Sequence, residues 1–283
     1  MKDKMLSNSH LKAIIGAFTW ILLLPSLSWS GGFSTNPLWD DGLAEVAVYD
    51  AKARIYNRLW DHEMVLVTVK EDFSKEQYTK ADPPYHGKDL LPVIKLNMFT
   101  RIQTFNYPYH FLVSLFVEKN DAFIPVKMTV GSQEWCGNTF VEFKNWVRPA
   151  SFVYHSYFDG QGNGEVSIDF NQGDMLREQL FISLRDIPFR KGYRRTFRLL
   201  NSQMSNYFRD PIWHESELVV VGEEEVETSK EQVLSWRIDV TNSTEQVTLW
   251  FDKNFPHPLV KYVDSSGQEM VLKEISRSAY WEP

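Results

Sequence analysis

An all-β fold is predicted: a single curved antiparallel sheet or partly open β-barrel, with one short helix packed against it. Three features of the sequence predict it. Apolar and polar residues alternate with period two along most of the chain, and Gly/Asn/Asp turns punctuate the runs. Only one segment has helical spacing.

Residues 1–30 have a separate character. Lys2, Lys4 and Lys12 form a basic start, residues 13–24 an apolar run, and Pro25 breaks it. Ser28-Trp29-Ser30 ahead of Gly31-Gly32 places small residues where a signal peptidase reads. The run is shorter than the roughly 20 residues that a spanning helix needs. We therefore expect a cleavable signal peptide at 1–30, a single β-rich exported domain at 31–283, and a periplasmic location. No cysteine stands near the cut to carry a lipid, and no later apolar stretch is long enough for a transmembrane helix in the mature chain.

The strands follow in order. Residues 64–69 (MVLVTV) and 111–117 read as buried strands, and 122–130 follows the polar turn at 118–121. Residues 139–143 come next, then 152–158 up to the glycine-rich turn at 159–164. Val166, Ile168 and Phe170 alternate with Ser167 and Asp169 as a half-buried strand. At 174–184 the spacing changes: Asp174 is expected to cap a helix carrying Met175, Leu176, Leu180 and Leu184 on one side, covering or plugging the sheet. Strands resume at 193–200, 218–221, 234–240, 244–252, 259–263 and 269–275. Residues 80–88, with Pro83-Pro84, and the polar stretch 202–214 read as connections.

Composition excludes several classes. Removing the three lysines and one aspartate of residues 1–30 takes the formal balance from −7 to −9. An acidic chain of this kind is not expected to bind nucleic acid, which requires neutralised phosphates. Cys136 is the only cysteine, so there is no internal disulfide and packing must supply the stability. No P-loop, dinucleotide fingerprint, nucleophile elbow or zinc spacing occurs, so neither a metal nor a cofactor is expected.

Candidate sites are few. Cys136 falls at a hairpin turn, and His110 and His155 lie on strands that could neighbour it, so a Cys–His pair is one weak catalytic candidate. Tyr107, Tyr109, Glu134, Trp135 and Cys136 are candidate ligand or partner contacts at the sheet rim. Glu223-Glu224-Glu225 with Glu227 reads as a solvated acidic hairpin. Arg185, Arg190, Lys191, Arg194, Arg195 and Arg198 are the one basic concentration, either a charged exterior or a site for an anionic headgroup.

Lys95-Leu96-Asn97, Asn106-Tyr107-Pro108-Tyr109, Gln133-Glu134-Trp135-Cys136-Gly137 and Ser156-Tyr157-Phe158 together resemble a family of uncharacterised exported proteins of bacterial envelopes. The C-terminal part is similar to a broader family of exported β domains of unknown function, in its helix, its Val221-Gly222-Glu223 turn and its last strands. The resemblance spans roughly residues 40–275. It implies an open or partly closed β-barrel, like periplasmic lipoprotein carriers in outline, and no catalytic residues. Three functions are carried forward. The first is a non-catalytic envelope protein binding a lipid or other apolar or amphipathic ligand in a concave sheet. The second is a scaffold that grips an envelope protein partner, and the third an enzyme centred on Cys136.

Overall fold

The computed structural model describes residues 32–282, and the expected signal peptide lies outside the described residues. A first meander contains β1 (Ala44–Ile55), β2 (Arg58–Ser74), the two-residue β3 (Thr79–Lys80), β4 (Leu90–Gln103) and β5 (Pro108–Glu118). It continues through β6 (Pro125–Glu134), β7 (Gly137–Lys144), β8 (Ala150–Ser156) and β9 (Asn163–Ile168). The short β10 (Met175–Leu176) leads into a helical segment over residues 177–186, α-helical at Leu180–Ser183 and 3-10 at both ends. The second meander is β11 (Arg194–Leu200), β12 (Trp213–Glu227), β13 (Gln232–Thr241), β14 (Gln246–Asp252), β15 (Leu259–Asp264) and β16 (Glu269–Ser278).

The two meanders fuse where β16 pairs antiparallel with β1, giving one 16-stranded sheet that runs from β10 round to β9, with β3 on the side of β2. Only β10 and β11 pair parallel. Curvature comes from strands of up to 17 residues and from bulges at Val48/Tyr49, Phe116/Val117, Val220/Gly222 and Trp250/Phe251. At the Val220/Gly222 bulge Gly222 has φ 148°, a value open to glycine.

The sheet does not close. Its two edges, β9 and β10, are bridged by side chains across the opening. Tyr154 stacks on Phe208 with centroids 3.8 Å apart, and Gln161 Nε2 donates to the Phe208 carbonyl at 2.9 Å. Arg198 Nη2 donates to the Asp169 carbonyl at 3.3 Å, and Phe170 packs 5.7 Å from Trp213.

Inside the curve, Leu176, Leu180, Ile182 and Leu184 join one core with Tyr49, Leu66, Leu96, Leu115, Phe143, Phe152, Leu218, Ile238, Leu249 and Phe251. The helical segment therefore occupies the space that the sheet surrounds. Ionic contacts pin it at both ends. Arg177 reaches Glu245 at 3.2 Å and donates to Tyr262 Oη at 2.8 Å. Arg185 makes a bidentate pair with Glu45 at 2.7 and 2.8 Å and donates to the Pro256 carbonyl at 2.9 Å. Glu178 Oε1 accepts from Ser202 Oγ at 2.7 Å and from the Gln203 amide at 2.9 Å.

Several expectations need correction. Asp174 does not cap the helix: Leu176 holds the N-cap position, and Asp174 accepts from the Asn171 amide and pairs with Arg198. The strand expected at 122–130 starts at Pro125, because Asn120 Oδ1 takes the amides of Ala122 and Phe123 and holds a turn there. Phe170 lies beyond the end of β9. The arginine concentration is dispersed by the fold. Arg185 turns inward to Glu45, Arg194 pairs with Glu217 at 2.8 Å, and Arg198 serves Asp174. Among the described residues no helix is long and apolar enough to cross a membrane.

Candidate functional site

The register separates two ends of the sheet. One end carries the turns at residues 56–57, 104–107, 135–136, 157–162, 201–212, 242–245 and 265–268. The other carries residues 75–89, 119–124, 145–149, 228–231 and 253–258, which are rich in Lys, Asp and Glu. On the first end, the hairpin tips of the N-terminal meander present aromatic rings. Tyr56, Phe105, Trp135 and Tyr157 are 73, 76, 78 and 71% exposed, although large rings are usually withdrawn from solvent.

Each ring has a local reason for its place. Tyr56 and Asn57 form the tip between β1 and β2 with φ 50° and 59°, the left-handed pair that a two-residue hairpin turn needs. A tyrosine there costs about 1–2 kcal/mol relative to glycine or asparagine. Tyr109 Oη donates to Tyr56 Oη at 2.6 Å and holds it. Trp135 stacks over Tyr107 with centroids 5.9 Å apart, and Tyr107 lies 5.4 Å from Tyr109. Tyr157 packs against Gly137, where any Cβ would collide with its side chain. The Gln133–Gly137 and Ser156–Phe158 blocks are thereby fitted to one another.

Beneath the crest, Tyr109 and Phe111 are buried with Ile102, and Tyr107, Trp60 and Met204 pack against them. Tyr107 Oη lies 3.2 Å from Cys136 Sγ. The hydrogen bond with Cys136 pushes the Tyr107 phenol above its ordinary range, and burial does the same for Tyr109. Both phenols are therefore neutral at physiological pH. Glu134 Oε1 accepts from Asn206 Nδ2 at 3.1 Å, which ties the rim to the 201–212 connection.

The five expected contact residues Tyr107, Tyr109, Glu134, Trp135 and Cys136 are thus brought together at one end of the sheet. The two histidines are not. His110 alternates with the buried Tyr109 and Phe111 and shares the outer face with Leu112, which is exposed. His155 is opposite the exposed Phe140 on that same outer face, with Nδ1 3.2 Å from Asn163 Oδ1. The hydrogen-bond partner of the Cys136 thiol among the described residues is Tyr107.

A shallow cavity of about 240 Å³ opens beside the tyrosines, lined by Ile55, Tyr56, Trp60, Thr104, Phe105 and Tyr107 among others. Its walls are mostly apolar, and its charged member is Arg58. That guanidinium lies 5.0 Å from the Trp60 ring centroid and 4.5 Å from that of Phe105. Among the described residues no carboxylate is ion-paired with it. Trp60 and Phe105 themselves meet edge to face at 4.8 Å. Sequence reasoning missed Tyr56, Arg58, Trp60, Phe105 and Tyr157. The available signal was an aromatic at a hairpin tip, where Asn, Gly or Asp is usual.

Comparison with protein-family models, with curated proteins and with solved structures finds no match for this chain. Its function is therefore read from the geometry of the rim.

Proposed function

We propose that this is a non-catalytic envelope protein that binds an amphipathic ligand at its aromatic rim. The supporting observation is the rim cavity, in which an aromatic wall and the Arg58 guanidinium face the same space. About 240 Å³ corresponds to roughly eight water volumes at ~30 Å³ each. That admits part of an acyl or aryl chain, with the anionic head left at the arginine. The driving force is apolar area withdrawn from water at about 25 cal/mol per Å², and the guanidinium supplies orientation and headgroup preference. The helical segment stays in place, and the ligand is held at the end of the sheet. This moves the site from the concave face to the rim.

Titration with lysophosphatidylglycerol below its micellar concentration, followed by tryptophan fluorescence, tests the reading. Saturable binding is expected, weakened tenfold or more by Phe105→Ala, since each tenfold is about 1.4 kcal/mol and one well-placed ring supplies that much. Arg58→Gln is expected to remove the preference over lysophosphatidylcholine while leaving an apolar component. Equal binding by wild type and both variants would refute the site. A protein partner seated on the same crest is the second reading. It is favoured by Trp135 and Tyr157, which stand exposed outside the cavity.

A further inference from the structure

The aromatic crest is larger than the cavity needs. The β1–β2, β4–β5, β6–β7 and β8–β9 hairpins follow one another along the sheet, and their tips carry Tyr56, Phe105, Trp135 and Tyr157, one exposed ring each. Of these four rings, Tyr56 and Phe105 line the cavity and the other two do not. The 201–212 connection adds the exposed Ile212 and Tyr207, whose ring lies 4.5 Å from that of Phe158. At the opposite end of the sheet the exposed rings, Tyr85 and Phe255, are more withdrawn, and that end holds the ion pairs Lys75–Asp89 and Lys253–Glu223.

The rings of the crest are supported from beneath. Tyr56 rests on Tyr109, Trp135 on Tyr107 and Phe105 on Trp60, and Tyr109 is itself buried with Ile102 and Phe111. The fold thus holds large side chains out in water that they would otherwise leave, which marks an interaction surface.

Charge identifies what that surface meets. The chain as a whole is acidic, yet residues 54–60 and 101–109, the two hairpins about the cavity, contain Arg54, Arg58 and Arg101 and no acid. Arg54 donates to the carbonyls of Ser266 and Asn57, and Arg101 donates to Gln103 Oε1. Among the described residues none of the three is ion-paired. Glu63, opposite Arg101, is held by Lys273 at 2.6 Å, and Glu134 turns to Asn206. Asp61 stands on the outer face of β2 and Asp159 on the fourth hairpin.

We infer that this end of the sheet seats on the surface of an anionic bilayer, with the four rings among the headgroups and the arginines of the first two hairpins at the phosphates. Tyr and Trp suit that depth, because the apolar ring enters the acyl boundary while the hydroxyl or indole N–H stays with polar groups. A fluid surface also receives rings that project from separate tips, whereas a protein partner must offer a matched surface to each. The inference rests on the rim reading for what the contact delivers: the cavity then opens toward the layer that supplies its amphipathic ligand.

Co-sedimentation of residues 31–283 with vesicles is the test, with phosphatidylcholine alone and with about one-third phosphatidylglycerol added. Binding to the mixed vesicles is expected to be at least tenfold tighter than to phosphatidylcholine, and to weaken as salt is raised to about 0.5 M. Tyr157→Ser is expected to weaken mixed-vesicle binding about tenfold, and Arg101→Gln about fivefold, the effect of one basic side chain near an anionic surface. Both residues lie outside the cavity, so both variants are expected to bind monomeric lysophosphatidylglycerol as the wild type does, which also shows that they fold. Absence of mixed-vesicle binding, equal binding to the two kinds of vesicle, or full vesicle binding by Tyr157→Ser would overturn the inference and return the crest to a protein partner. Lysophosphatidylglycerol binding decides the rim reading separately. Vesicle binding without it refutes the cavity and keeps the docking face, and the reverse result refutes the docking face alone.

Discussion

Glu45→Ala is expected to destabilise the protein by about 3–5 kcal/mol, because it strands a charge in the interior. Glu45 and Arg185 are 6 and 3% exposed at their side chains and meet through two parallel N–H···O bonds. Truncating the acid leaves the guanidinium with the Pro256 carbonyl and the faces of Phe33 and Trp39, at 4.4 and 5.8 Å from their centroids. Those contacts orient the group but do not neutralise it. Urea unfolding measures the loss as a lower midpoint with an unchanged slope. The paired change Glu45→Met with Arg185→Met is expected to recover most of the loss, since well-packed apolar side chains often replace a buried pair at no net cost. A loss below about 1 kcal/mol for Glu45→Ala would mean that water reaches this end of the helical segment.

Leu180→Ala is expected to cost about 2–5 kcal/mol, the range for emptying a buried leucine site. Leu180 is fully buried, and its neighbours on the sheet are held in a continuous ladder that cannot collapse inward cheaply. The result also distinguishes a plug from a lid. A lid that leaves the sheet easily contributes little to global stability, so its truncation costs little. The polar anchors at Arg177, Glu178 and Arg185 argue for a plug. A cost near zero in thermal and urea unfolding would restore the concave face as a ligand site.

Much of this architecture is legible in the sequence, because period-two patterning survives wherever one face is buried. Val113, Leu115 and Val117 are buried, with Ser114 and Phe116 between them less so, and the strand reads cleanly. Strand β1 escapes notice for a physical reason. Its inward residues are Ala47, Tyr49 and Ala51, and its buried Glu45 is apolar in no pattern; only the distant Arg185 makes that burial tolerable. Strand β4 is hidden by Pro92 and by Lys95 and Asn97 on the outer face, although Ile94, Leu96 and Met98 face inward. The helical segment was expected to present one apolar side. Being enclosed on all sides, it instead buries Arg177, Glu178, Gln179 and Arg185 and meets their polarity with partners 24 to 140 residues away. No local pattern encodes such partners.

The site was legible to the same degree. Tyr107, Tyr109, Glu134, Trp135 and Cys136 lie on adjacent hairpins, so a rim position could be read from two turns. Tyr56, Arg58 and Trp60 come from a hairpin nearly fifty residues earlier, and β2 is inserted beside β4 only by the sheet order. The cavity exists because two separated turns, at 56–57 and 104–107, end at one level, which is a property of register and not of any single motif.

Hydrogen–deuterium exchange of residues 31–283, with and without lysophosphatidylglycerol, tests the central claim most directly. Binding at the rim is expected to slow exchange at residues 55–60, 103–109 and 134–137, while residues 175–186 stay protected in both states. Faster exchange at 175–186 with the rim unchanged would contradict this account, because the ligand would then be displacing the helical segment to enter the sheet.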